Sequence, residues 1–174
     1  MSIVDIHLGD ITDPKNKRDI IIGMNTRLAE ASAIGRRVLV GKSLARNLEL
    51  GDVITFKFDE LRNLHMIICH TIGGGGWRGA ERHIRFGLDY LWQRNQAENR
   101  KFSIVKIGAG PIGRRDGADA IAIHTAMADS FLPLHLFVRG SVTLASTNVA
   151  NLPPLQPHRI WQHSDGEREI RLAA

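Results

Sequence analysis

The fold is indicated first by residues 3–12, which read Ile-Val-Asp-Ile-His-Leu-Gly-Asp-Ile-Thr. Side chains alternate through residues 3–8 in the pattern of a half-buried β-strand, and this strand runs directly into a polar turn at Gly9 and Asp10. The turn holds the Asp10 carboxylate at the end of the strand. Taken alone the four-residue turn is weak evidence, because Asp followed by Thr also caps an ordinary turn or short helix.

Strand and helix patterns alternate along the rest of the chain. Short apolar or alternating runs predict strands at residues 19–22, 52–58, 64–72, 102–107 and 134–138. Helical spacing predicts helices at residues 29–48, 80–95 and 116–131. This order predicts an α/β sandwich with a largely parallel sheet. In such folds ligands bind beyond the carboxyl ends of the strands.

Length and composition set outer limits on the class of protein. A chain of 174 residues is the size of one domain with a single core. It has no apolar run of about 20 residues, and its first residues do not resemble a signal peptide, so we expect a cytoplasmic protein that does not cross a membrane. Cys69 is the only cysteine and lies in an apolar run, which favours a buried, unreactive thiol.

The charge balance favours anionic partners. The formal net charge is +5 and the isoelectric point is near 9.9, with arginine and lysine clustered in several short segments. These segments are equally consistent with a solvated face and with a surface that binds phosphate or nucleic acid. The eight histidines show no metal-ligand spacing, since His65 and His70 are five apart on a predicted strand. We therefore expect no metal and no cofactor.

A second glycine-rich segment, residues 108–113, follows a predicted strand and reads Gly-Ala-Gly-Pro-Ile-Gly. Glycines there allow backbone N–H groups to surround an anion, and a helix beginning near Gly117 would add its positive end. No Gly-Lys-Ser/Thr follows, which argues against a nucleoside triphosphatase. The glycine spacing also matches the Gly-x-Gly-x-x-Gly fingerprint of dinucleotide-binding domains. A proline lies inside the segment, however, and the segment comes late in the chain, so the match does not indicate such a domain.

The order of these segments resembles a macrodomain across about residues 3–138. Gly9-Asp10-Ile11-Thr12 follows the first strand, Asn25-Thr26-Arg27-Leu28 the second, His70-Thr71-Ile72-Gly73 a central strand, and the second glycine segment a later one. The resemblance implies a three-layer α/β/α sandwich with a mixed, largely parallel sheet. We expect a macrodomain-like domain at residues 1–140 and a C-terminal extension, residues 141–174, that packs on it or trails from it.

The resemblance also implies a binding site for ADP-ribose. Asp10 would accept a hydrogen bond from the adenine amino group, and Ile11 would add a backbone contact. Family members then carry an Asn-Ala-Ala-Asn stretch whose last Asn contacts the distal ribose. Here Gly23-Met24-Asn25 occupies that place, so Asn25 would take this role if the chain has one residue fewer than the family stretch. The glycine segment would wrap the diphosphate. The candidate ligand-binding set is Asp10, Ile11, Asn25, Ser32, Gly35, Gly108, Ala109, Gly110, Pro111, Ile112 and Gly113.

The chain departs from the family in the loop that follows Asn25. Hydrolytic macrodomains carry a run of glycines and often a catalytic Asp there, whereas residues 29–37 retain only Gly35 and contain one acid, Glu30. Enzymatic activity is therefore left open. The three hypotheses are a module that binds ADP-ribose or a related adenine nucleotide, an ADP-ribosyl hydrolase acting on protein or nucleic acid, and a degenerate module that binds nucleic acid or a protein partner.

Overall fold

The computed structural model describes residues 2–29, 33–38, 48–138 and 154–169. The elements, in chain order, are β1 (Ile3–Leu8), β2 (Asp19–Asn25), α1 (Ala33–Arg37), β3 (Val53–Lys57), β4 (Asn63–His70), α2 (Ala80–Glu98), β5 (Phe102–Val105), α3 (Pro111–Arg115), α4 (Ala120–Ala128), β6 (Leu134–Val138), β7 (Pro157–Gln162) and β8 (Gly166–Glu169). No helix among them is long and apolar enough to cross a membrane.

One mixed sheet organises the described chain, with the strand order β1-β6-β5-β2-β4-β3-β7-β8. The first five strands in this order are parallel to their neighbours, and the last three are added antiparallel. Apolar side chains from α2 and α4 pack in one core cluster, while those of α1 lie in the other. The α/β/α sandwich with a mixed, largely parallel sheet is therefore confirmed.

The second glycine segment differs from its prediction. Of the helix predicted at residues 116–131, only α4, Ala120–Ala128, is helical. A separate short helix, α3, begins at Pro111 inside the glycine segment and ends at Arg115, before the predicted helix starts. Proline is favoured at the first helical position, where no intrahelical N–H bond is lost. Gly117 has a φ of +83°, a left-handed conformation that interrupts the helical path between α3 and α4.

The edge strand β1 also differs from the half-buried strand that its pattern predicts. Val4, Ile6 and Leu8 are 53%, 59% and 82% exposed. Alternation predicts which side chains share a face, but it does not predict whether another layer covers that face. The described residues therefore leave the face of β1 that carries these three side chains largely uncovered.

The remaining expectations are met to different extents. Cys69 is buried, as expected, and burial raises the pKa of its thiol to about 12. The helix predicted at residues 29–48 is described only at α1, since residues 30–32 and 39–47 lie outside the described chain. The C-terminal extension contributes β7 and β8, with β7 pairing onto β3.

Candidate functional site

The candidate site lies at the carboxyl ends of the parallel strands, which we call the carboxyl edge. Parallel strands end on the same side of a sheet, so the segments after β1, β2, β4 and β5 emerge together. Two backbone hydrogen bonds connect neighbouring strand ends. The N–H of Gly9 donates to Val138 at 3.3 Å, and that of Thr26 donates to His70 at 3.1 Å.

Asp10 occupies a tight turn directly after β1. Its Oδ1 accepts hydrogen bonds from the backbone N–H of Thr12, at 2.9 Å, and from the Thr12 hydroxyl, at 2.7 Å. Within the described residues these are the hydrogen bonds that the Asp10 carboxylate accepts, so its Oδ2 remains available to a ligand. Oδ1 of Asp10 therefore stabilises the turn, and Oδ2 is the oxygen that could accept a hydrogen bond from a ligand.

Ile11 is buried beneath the turn that carries Asp10. The whole residue, backbone included, is 0% exposed, and its side chain belongs to a core cluster, so the backbone contact expected of it is not open to solvent in this structure. Its carbonyl already accepts a hydrogen bond from Asn16 Nδ2 at 2.8 Å. Ile11 therefore anchors the turn that carries Asp10 to the core beneath it.

Asn25 ends β2 at the carboxyl edge, but its side chain is engaged by its own loop. Asn25 is 2% exposed. Its Oδ1 accepts hydrogen bonds from the backbone N–H of Arg27 at 2.9 Å and from that of Ala29 at 3.2 Å. Its Nδ2 donates to the Ala29 carbonyl at 2.5 Å. These bonds shape the loop rather than extend toward solvent. Glu30 and Ser32 lie outside the described residues.

The three glycines of the second glycine segment have different surroundings. Gly108 has a φ of +82°, and a Cβ there would lie 2.8 Å from Ile123 Cδ1. A Cβ on Gly113 would lie 2.3 Å from the Gly108 carbonyl oxygen. Gly110 has a φ of −75° and no atom within 4 Å of an added Cβ. Gly108 and Gly113 therefore allow close packing beneath the loop, whereas Gly110 faces open space.

The other residues of this segment lie in and around α3. Ala109 is half-buried and its carbonyl accepts a hydrogen bond from Arg114 Nε at 3.1 Å. Pro111 is exposed at the start of α3, and Ile112 is half-buried. The next helix, α4, has its N-terminus capped by the carboxylate of Asp119, which accepts from Ala122 N at 3.0 Å. Asp119 thus satisfies one of the backbone N–H groups at the start of α4.

Gly35 lies in α1 and is buried, as the surviving glycine of its segment. Two residues on, the guanidinium of Arg37 lies 4.8 Å from the ring centre of Phe58, which follows β3. Burial lowers the pKa of Arg37, and the nearby charge of Asp59 opposes this shift. Because Phe58 is beside the amino end of β4, Arg37 points away from the carboxyl edge.

A layer of side chains that the sequence analysis did not identify supports the glycine segment from the side of β4. The His70 and Trp77 rings stack with centres 3.9 Å apart, and Trp77 lies under Gly108. Asp116, which is 5% exposed, pairs with Arg115 at 2.9 Å. The Arg115 hydrogen bond lowers the pKa of Asp116, and a bond from the Gly73 backbone has the same effect. The four-glycine segment that follows β4, residues 73–76, is thereby joined to Asp116 at the end of α3.

The opposite edge of the sheet carries a basic surface cleft of about 440 Å³. It is lined by five cations and two acids, namely Lys15, Lys17, Arg18, Arg100, Lys101, Asp19 and Glu98. Asp19 is 2% exposed. Its carboxylate accepts hydrogen bonds from Arg100 Nε and Nη2, each at 2.6 Å, and lies 2.9 Å from His65 Nε2. His65 in turn contacts the Thr55 hydroxyl at 2.9 Å. This end of the molecule therefore holds a structural network beneath its cationic surface.

Comparisons with known proteins support the fold. The sequence matches no protein-family model, and no curated protein matches it. A macrodomain protein from Streptomyces coelicolor is 15% identical, covers 76% of this chain and 98% of its own, and has a TM-score of 0.54. The macrodomain of Mycobacterium tuberculosis DarG is 13% identical, covers 69% of this chain and 88% of its own, and has a TM-score of 0.53.

A third solved structure contains a ligand. It is DarTG from Thermosipho africanus in complex with ADP-ribose, 13% identical, covering 79% of this chain and 42% of its own, with a TM-score of 0.56. At these identities the likeness concerns the path of the backbone and not the activity. The strand order, the helices on both faces and these three structures lead to one conclusion. The chain has the macrodomain fold.

Proposed function

We propose that this protein binds ADP-ribose, free or attached to a macromolecule, at the carboxyl edge of its sheet. The observation that carries the proposal is the arrangement of the second glycine segment, in which two glycines pack inward and Gly110 alone faces open space. A loop built in this way brings backbone close to a ligand without a side chain between them. The structure of a DarTG with ADP-ribose bound supports the same ligand for this fold.

Asp10 supplies the second part of the argument. Its free Oδ2 is an acceptor at the same edge, and the adenine amino group is a donor. The hydrogen bonds from Thr12 hold the carboxylate in place before a ligand arrives, which lowers the entropy lost on binding. An adenine at Asp10 and a diphosphate at the glycine segment together describe an ADP-ribosyl group.

The experiment is calorimetric titration of ADP-ribose into the wild-type protein and into Gly110→Glu. The backbone at Gly110 has φ −75° and ψ 176°, which any residue adopts, and its Cβ direction is empty. The variant should therefore fold normally while placing bulk and negative charge where the diphosphate would lie. We expect the affinity to fall at least about tenfold, which is about 1.4 kcal/mol.

The matched control is Ala97→Glu, which adds the same charge at an exposed position near the C-terminus of α2. It should bind ADP-ribose as the wild-type protein does. Equal affinity of Gly110→Glu and wild type would remove the glycine segment from the site. No binding of ADP-ribose to the wild type, with salt-dependent binding of nucleic acid, would favour instead the basic cleft as the functional surface.

A further inference from the structure

A second cluster of chemically active side chains lies between β1 and β6, outside the candidate nucleotide site. Asp5 and His7 are two residues apart on β1 and share a face. The parallel pairing places His135 of β6 beside them, with Asp5 opposite His135 and His7 opposite Phe137. His7 Nε2 lies 3.0 Å from His135 Nδ1 and 3.8 Å from Asp5 Oδ2.

These separations are close to those between ligands of one metal ion. Two nitrogen or oxygen ligands about 2.0–2.1 Å from a tetrahedral Zn²⁺ lie roughly 3.3 Å from each other. The three ligand atoms of Asp5, His7 and His135 all lie within 4.8 Å of one another. The largest movement needed is a rotation of Asp5, whose side chain is 64% exposed.

The surroundings orient two of the three groups. The His7 ring stacks on Phe137 with centres 4.7 Å apart and an angle of 12° between the planes. Asp5 Oδ1 accepts from the N–H of Ile6 at 2.8 Å, which leaves Oδ2 directed to the cluster. Supporting contacts of this kind, which fix ring and carboxylate orientation, are typical of metal sites.

Nearby charges act in both directions. Burial lowers the pKa of His135, and the charges of Arg18, His7 and Lys101 lower it further, whereas Asp5 raises it. The cations oppose a bound metal ion, and the Asp5 carboxylate offsets part of that repulsion.

Histidine spacing along the chain led to the expectation of no metal, and the pairing of β1 with β6 revises it. We propose that Asp5 Oδ2, His7 Nε2 and His135 Nδ1 bind one divalent transition-metal ion of the Zn²⁺ class, with solvent completing the coordination. Two imidazoles and one carboxylate suit Zn²⁺, Co²⁺ or Ni²⁺, whereas Mg²⁺ and Ca²⁺ require oxygen ligands. Binding replaces the hydrogen bond between the two rings. The imidazole that donated this hydrogen bond changes tautomer: its N–H proton moves, through solvent, to the other nitrogen of the same ring. Both histidines therefore stay neutral, and neither loses a proton.

The test uses untagged, chelator-treated full-length protein titrated with CoCl₂ and, by competition against a chromophoric chelator, with ZnCl₂. We expect one ion per chain and cobalt d–d absorption typical of low coordination number. His7→Gln and His135→Gln should each weaken Zn²⁺ binding roughly tenfold or more, and MgCl₂ should give no signal. The control, His124→Gln, removes an exposed imidazole from α4 and should change nothing.

Variant folding is checked by circular dichroism, and a second measurement does not depend on variants. Substoichiometric Co²⁺ should broaden the amide NMR signals of residues 5–7 and 135 of the wild-type protein before others. Broadening that begins in another part of the chain, equal weakening in His124→Gln, or no saturable binding would overturn the proposal. The last result would assign the pair of histidines to a hydrogen bond that only joins β1 to β6.

Discussion

Replacing Asp10 by asparagine separates the two roles that the structure gives to its carboxylate. Asparagine keeps one acceptor oxygen, which the N–H and hydroxyl of Thr12 retain at the Oδ1 position. The free Oδ2 becomes an NH₂ donor. Turn geometry should survive, so the free energy of unfolding should change by less than about 1 kcal/mol. Asp10→Ala, by contrast, loses both bonds to Thr12.

The effect on ligand binding should be larger than the effect on stability. A hydrogen bond to a charged group contributes about 1.5–3 kcal/mol, and the variant puts a donor against the adenine amino donor. We therefore expect the affinity for ADP-ribose to fall about 10- to 150-fold at unchanged stability. The wild-type protein should disfavour the inosine analogue, whose 6-oxo group is an acceptor, and Asp10→Asn should reduce or reverse that preference.

Calorimetry with ADP-ribose, the inosine analogue and ribose 5-phosphate measures the prediction, and thermal unfolding checks stability. Ribose 5-phosphate lacks a base, so any binding of it should be the same in wild type and Asp10→Asn. The reasoning fails if the variant binds ADP-ribose as tightly as the wild type. It also fails if base-containing and base-free ligands weaken equally, because the substitution would then have disturbed the whole site.

Two further predictions concern stability. Burial raises the pKa of Asp19, but hydrogen bonds with His65 and Arg100 outweigh burial and lower the pKa below its ordinary value of 3.8. The ionised carboxylate therefore stabilises the folded protein above pH 3.8, and this stabilisation is lost as the pH falls through the folded-state pKa. Urea unfolding should show Asp19→Asn to be about 2–4 kcal/mol less stable at pH 7 and less sensitive to acid than wild type, with the exposed Asp129→Asn unchanged. Gly108→Ala should lower the free energy of unfolding by about 1–3 kcal/mol, because Gly108 has a φ of +82° and an added Cβ would contact Ile123. Gly110→Ala should change the free energy of unfolding by no more than about 0.5 kcal/mol. Equal losses in the two variants would contradict the different surroundings of the two glycines.

Local patterns in the sequence predicted the parts of this fold that depend on neighbours in the chain. Strand alternation, helical spacing and glycines at strand ends predicted the layers and the carboxyl edge of the sheet, whereas the ligand-binding role of Gly108 and Gly110 stays a prediction. The pairing of His7 with His135 joins residues 128 apart and follows from strand register, which no local period encodes. The same limit hid Trp77 beneath the glycine segment and the open face of β1.

The departure at the end of β2 has a physical cause. The family resemblance puts an Asn-Ala-Ala-Asn stretch where this chain has Gly23, Met24 and Asn25. A Cβ at Gly23 would lie 2.8 Å from Ile107 Cγ2 and 3.0 Å from Cys69 Sγ, so the close packing of β2 leaves no space for any side chain at this position. The pairing of β2 with β4 shifts register between Met24 and Asn25, and Asn25 then turns into its own loop. The end of the proposed site that would hold the distal ribose therefore differs from the family pattern, whereas the proposed contacts to adenine and diphosphate rest on the free Oδ2 of Asp10 and on the open space beside Gly110.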